Sequence, residues 1–168
     1  LVGFDLRKPK IYDDFNLGNE RGVSTWLIGQ DRLEDIVQKT QDENLFVITA
    51  GPVPPNPSEL TASQRTEDLI TALRKEYEYI IIDTSPISFI SDTIHLAKIA
   101  DACLLVVRPK NTYKDMLDIT LNEINTNMIN GTSILLNDVI SAGDQYGDKY
   151  GYTKEIRRSG MKFIFARK

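Results

Sequence analysis

Tyr79-Ile80-Ile81-Ile82-Asp83-Thr84-Ser85-Pro86 decides how the chain is read. Three successive isoleucines run into a carboxylate, two hydroxyls and a proline. A short apolar run bounded in this way predicts a buried strand of a parallel sheet. Asp83 then stands at the carboxyl end of the strand, where open α/β sheets bind their ligands. An unpartnered carboxylate is too costly to bury, so Asp83 belongs to a crevice or a turn. This stretch alone leaves both readings open.

The flanking sequence alternates strands with amphipathic helices. Residues 64–77 carry Leu69, Leu73 and Tyr77 at helical spacing, with Ile70 beside them. Before them lies Gly51-Pro52-Val53-Pro54-Pro55-Asn56-Pro57-Ser58-Glu59, a stiff loop poor in backbone donors. Asn56 reads as a helix cap, Pro57 as the first helical residue and Glu59 as the partner in a capping box. Residues 45–49 read as a strand leading into that loop. At the start, residues 1–5 read as a strand, and Pro9 closes the polar turn Asp5-Leu6-Arg7-Lys8-Pro9.

Short helices are predicted over 11–15 and 23–28. Asp31-Arg32-Leu33-Glu34 reads as a capping box opening a short helix, with Leu33, Ile36 and Val37 on its apolar face. Downstream, a loop over 87–91 leads to a helix over 92–100 capped by Ser91, and then to an apolar strand over 102–107. A long helix from Thr112 carries Leu117, Leu121, Ile124 and Met128 on one face and ends at Asn130-Gly131. A strand over 133–136 ends in Asn137. The pattern predicts an α/β fold: a doubly wound, mainly parallel sheet with helices on both faces.

From Ser141 the apolar periodicity stops. Gly, Asp and Tyr dominate 142–152, so the chain divides into a folded domain over 1–140 and a flexible tail over 141–168. An apolar island at 161–165 sits in a basic end, and edge strand and partner contact both stay open for it. The chain begins without methionine on Leu1-Val2-Gly3-Phe4-Asp5, which reads as a strand already under way, so sequence is expected upstream.

Composition narrows the function. At 168 residues, with 41% hydrophobic and 26% charged residues, the chain suits one globular domain with a good core. A net charge of -4 argues against a general nucleic-acid binder. The single Cys103 cannot form an internal disulfide, which fits a reducing compartment. One cysteine and one histidine, His95, supply no structural zinc set, and no Ser-His-Asp triad is supported. No membrane-length apolar run or signal peptide is visible.

Asp5 repeats the pattern of Asp83, an apolar strand followed by a polar turn. In a parallel sheet both strand ends lie on the same side, so the two carboxylates can converge on one crevice. Two carboxylates with substrate phosphates and waters make a magnesium site, and Asp83 then fits a Walker B aspartate. Arg7 and Lys8 suit phosphoryl oxygens or a neighbouring carboxylate, or form a solvated basic turn. The Asn137 amide suits a base edge or a turn. Asp92 either caps its helix or supports the metal site from behind.

Phe4-Asp5-Leu6-Arg7-Lys8-Pro9 resembles the second Walker motif (A′) of bacterial tyrosine kinases: apolar residues, then Asp-x-Asp-x-Arg-Lys-Pro. The proline-rich 51–60 stretch resembles that family's loop, 79–86 its Walker B, and Asp92 stands where the family has an aspartate in the following helix. The resemblance spans residues 1 to about 140. It implies a P-loop NTPase-like kinase domain using ATP and Mg2+, cytoplasmic at the inner face of the cell membrane. Asp5 and Asp83 are implied as catalytic and metal-binding residues, Arg7 and Asn137 as phosphate- or nucleotide-binding, and Asp92 as a supporting group.

It further implies autophosphorylation between subunits of a homo-oligomer, with Tyr146, Tyr150 and Tyr152 as acceptors on a tether long enough to reach a neighbour. Phosphate there adds negative charge to an acidic segment, which loosens subunit packing. Its implied partners are a transmembrane polysaccharide co-polymerase, fused or separate, and a protein-tyrosine phosphatase. The implied role is control of capsular or extracellular polysaccharide chain length and export.

Two departures stand out. The first A′ aspartate falls on Gly3, and none of the 168 residues forms a Gly-x-x-x-x-Gly-Lys-Ser/Thr phosphate loop. The fragment itself is therefore expected to be inactive, and a missing central strand would leave a sheet edge open to pairing with another copy. Two alternatives stay beside the kinase reading: a related partition-type switch ATPase, and a non-catalytic scaffold or phosphoacceptor of the export machinery.

Overall fold

The computed structural model describes residues 1–85, 90–129 and 131–139. In chain order its elements are β1 (Val2–Gly3), α1 (Ile11–Phe15), α2 (Val23–Leu27), α3 (Leu33–Ile36), β2 (Val37–Lys39) and β3 (Phe46–Ile48). There follow α4 (Pro57–Thr61), α5 (Gln64–Leu73), β4 (Ile82–Asp83), α6 (Ile90–Ile99), β5 (Cys103–Val107), α7 (Lys114–Thr126) and β6 (Thr132–Leu136). The fold is α/β with mainly parallel pairing, as expected. The described strands form a four-stranded sheet in the order β2-β3-β1-β4 and a two-stranded sheet of β5 and β6.

The core forms where β1 and β3 meet the apolar faces of α2, α3, α5 and α6. Val2, Ile48, Val23, Leu27, Ile36, Leu69, Leu73 and Leu96 all lie within it. Leu69 on α5 is fully buried, which is worth roughly 1.5–3 kcal/mol relative to an exposed side chain. Tyr77 lies past the end of α5, and its ring packs 5.5 Å from that of Phe46. Gly22 and Gly51 let the α2 loop close directly onto the end of β3. A Cβ on Gly22 would stand 2.2 Å from the Thr49 carbonyl oxygen, and Gly51 has φ +77°.

Several expectations need correction. Residues 37–39 form an antiparallel strand on β3, with Val37 opposite Ile48, so Val37 leaves the helix face it was assigned to. The box at α3 is shifted by one residue: the Arg32 amide donates to Asp35 Oδ2 at 3.2 Å. Asn56 does not cap α4 through its side chain; its amide donates to Glu59 Oε2 at 2.7 Å.

Residues 79–81 precede β4, although the Ile81 carbonyl still accepts from the Val2 amide at 2.8 Å, and Tyr79 (54%) and Ile81 (48%) are exposed. Among the described residues β4 is the last strand of its sheet, and a cavity of about 1020 Å³ separates it from β5. With no described neighbour on that edge, Ile81 lines the cavity.

Candidate functional site

β1 and β4 are parallel and in register, Val2 opposite Ile82 and Gly3 opposite Asp83. The Phe4 amide extends the pairing by donating to the Asp83 carbonyl at 2.7 Å. This places the turn after β1 beside the end of β4, and Asp5 and Asp83 line one small recess with Gly3, Lys10 and Tyr12. The two carboxylates expected to converge do share a site.

Their surroundings differ. Asp5 Oδ1 accepts from the Arg7 amide (3.1 Å), the Lys8 amide (3.1 Å) and the Ser85 hydroxyl (2.6 Å). That oxygen organises the turn, and these bonds leave Oδ2 for a ligand. Asp83 is raised from its ordinary carboxylate value, first because burial penalises its charge, then because Asp5 and Asp14 add negative potential. A cation beside Asp83 would relieve both effects. Asp83 and Asp5 Oδ2 are hard oxygen donors, and magnesium commonly takes one or two carboxylates together with phosphates and water. The donor set fits that ion. Among the described residues no group of three or more His, Cys, Asp or Glu side chains forms a ready-made metal cage.

Arg7 meets a neighbouring carboxylate, one of the two partners its chemistry suited. Its Nε and Nη2 both reach Asp92 Oδ2 at 3.0 Å, and Nη2 donates to Ser58 Oγ at 2.7 Å. Asp92 is thus held from the first turn of α6 by an arginine of the A′ turn. Asn137 lies past the end of β6, and its Oδ1 accepts from the Asp138 amide at 2.9 Å. It lines neither the recess nor the cavity. Tyr146, Tyr150 and Tyr152 lie outside the described residues, as do Pro86 and the 161–165 island.

Gly3 is closely packed. A Cβ there would meet the Ala50 amide at 3.3 Å and Ile11 Cδ1 at 3.5 Å. Sequence reasoning missed Ser85, Ser58 and Asp14. Ser85 had a legible signal, since it occupies the same offset after β4 that Asp5 occupies after β1. Asp14 had none, because its approach to Asp83 depends on where α1 folds back.

No protein-family model matches the chain. The tyrosine-protein kinase YwqD of Bacillus subtilis is 36% identical over 115 residues, which is 68% of this chain and 48% of that protein. The tyrosine-protein kinase Etk of Escherichia coli K12 is 34% identical over 141 residues, 83% of this chain and 19% of that protein. Among solved structures, the VpsO kinase domain superposes with TM-score 0.76 at 31% identity, covering 83% of this chain and 69% of that domain.

The chain belongs to the bacterial tyrosine-kinase family. It spans about half the length of YwqD (48%) and about a fifth of Etk (19%). No helix among its described residues is long and apolar enough to cross a membrane.

Proposed function

We propose that the chain is part of an ATP- and magnesium-dependent protein-tyrosine kinase of a capsular or extracellular polysaccharide system. The observation that carries this reading is the pairing of Asp5 and Asp83 at the ends of two adjacent parallel strands, in one recess. Bound ATP and magnesium supply the transferable phosphoryl group and its counter-charge. Asp83 and Asp5 Oδ2 would hold the cation, and the Asp5 turn is kept in shape by the Arg7 and Lys8 amides and Ser85. Catalysis of this kind rests on positioning and charge stabilisation.

In the same reading Tyr146, Tyr150 and Tyr152 accept phosphate from a neighbouring subunit. The protein works at the inner face of the cell membrane, beside a transmembrane co-polymerase and opposed by a phosphatase. Control of polysaccharide chain length and export follows from cycles of subunit packing.

The test is Asp83→Ala in the full-length protein, with tail phosphorylation read by mass spectrometry. Phosphate on the tail tyrosines should disappear. Undiminished phosphorylation with no other kinase present overturns the proposal. ATP hydrolysis with unmodified tail tyrosines in the wild type would instead assign a switch ATPase.

A further inference from the structure

Arg7 joins three elements that are distant in sequence. Its guanidinium donates Nε–H to Asp92 Oδ2 on α6, 85 residues away, with Nη2 forming an ion pair with the same oxygen at 3.0 Å, and Nη2 donates to Ser58 on α4, 51 residues away. The Asp92 side chain is only 8% exposed and that of Arg7 30%. A carboxylate so buried is destabilising once its cation is removed. The rigid fork of arginine lets one group serve both partners in fixed geometry, which a lysine cannot match.

The turn that carries Arg7 is also tied on its other side. Arg7 and Lys8 amides and the Ser85 hydroxyl converge on Asp5 Oδ1. Thr93, next to Asp92 on α6, donates to the Ser85 carbonyl at 3.4 Å. One connected network therefore runs from the proline-rich segment through Arg7 and α6 to the recess of Asp5 and Asp83.

We propose that Arg7 is a positioning residue: it clamps the proline-rich segment and α6 to the turn bearing Asp5, and does not contact phosphate. Its effect on catalysis rests on the kinase reading above; the clamp itself does not.

The experiment uses the full-length protein with Arg7→Gln, Asp92→Asn, Ser58→Ala and the double variant Arg7→Gln/Asp92→Asn. Three quantities are measured: kcat and KM for tail phosphorylation, MgADP affinity, and hydrogen exchange over residues 51–61. Arg7→Gln and Asp92→Asn should each lower kcat about tenfold, with MgADP affinity within about twofold of wild type. The double variant should be no worse than the poorer single, as for residues of one network. Exchange over 51–61 should rise in all four variants.

Arg7→Gln weakening MgADP about tenfold, with Asp92→Asn unchanged, would make Arg7 a phosphate ligand and overturn the proposal. Additive losses in the double variant would also overturn it. Should Arg7→Gln fail to fold, Arg7→Lys keeps the charge without the fork and carries the same comparison. If the wild type phosphorylates no tyrosine, the kinase reading fails, yet the exchange measurement still decides the clamp. Unchanged exchange then rejects it.

Discussion

The Ser85 hydroxyl donates to Asp5 Oδ1 at 2.6 Å, joining residues 80 apart in sequence. The contact follows from the β1–β4 register. Gly3 stands opposite Asp83, so the residues two positions further along each strand also meet. A hydrogen bond to a charged acceptor contributes about 1.5–3 kcal/mol. Ser85→Ala should therefore lower the unfolding free energy measured by urea denaturation by an amount in that range, with a matching fall in the midpoint, leaving Asp5 Oδ1 with its two amide donors. A midpoint within error of wild type would show that the bond carries no net weight.

Asp83 gives a pH dependence with a defined sign. Its folded pKa is raised, by burial first and by Asp5 and Asp14 next. An acid shifted upward binds its proton more tightly when folded. Its contribution to stability is complete below the unfolded pKa and is lost as pH rises through the folded value. Asp83→Asn should thus raise Tm at about neutral pH, and the gain should vanish at about pH 3. Thermal scans across that range check it; a gain independent of pH would exclude the titration of Asp83 as its cause.

Two glycines separate rigid from yielding neighbours. A Cβ on Gly22 would meet backbone, the Thr49 oxygen at 2.2 Å and the Gly51 nitrogen at 2.5 Å. Gly22→Ala should destabilise by about 3 kcal/mol or more, because neither neighbour can rotate away. A Cβ on Gly18 would meet the end of the Glu20 side chain at 2.8 Å and, in ordinary contact, Gln38 Oε1 at 3.7 Å, both side-chain atoms. Gly18→Ala should cost less than about 1 kcal/mol. Denaturation curves of the two variants test the ranking.

Trp26, the single tryptophan, reports on the α2–α5 contact. The Arg65 guanidinium lies 5.0 Å from its ring centroid, Arg65 Nε donates to the Trp26 carbonyl at 2.9 Å, and Trp26 Nε1 donates to the Arg65 carbonyl at 3.2 Å. Arg65→Ala removes the cation–π contact and one hydrogen bond, about 1–2 kcal/mol together. Trp26 emission should shift to the red as its ring gains water. An unchanged spectrum with unchanged stability would show that the pair is not formed in solution.

Element types were mostly legible where a local rule acts alone. Pro57 marks the start of α4, the spacing of Leu69 and Leu73 marks α5, and the apolar run 102–107 contains β5. The failures share one cause. Val37 satisfies a helical spacing, yet pairing with Ile48 on β3 places it in a strand. Ile81 belongs to a strand-like run, yet it lines a cavity because β4 has no described neighbour on that side. Partners decided both, and partners are not local.

The sequence by itself determined the residue types of the site: carboxylates after two apolar strands, an arginine in the turn and a proline-rich approach. These follow from backbone preference and from the cost of burying charge, which act residue by residue. Only the tertiary structure decided which oxygen of Asp5 is spent on its own turn, that Asp14 adds to the potential at Asp83, and that Arg7 faces Asp92 and Ser58. Those outcomes depend on the β1–β4 register and on where α4 and α6 dock. The physical reason is that a charge takes whichever partner the fold brings within reach.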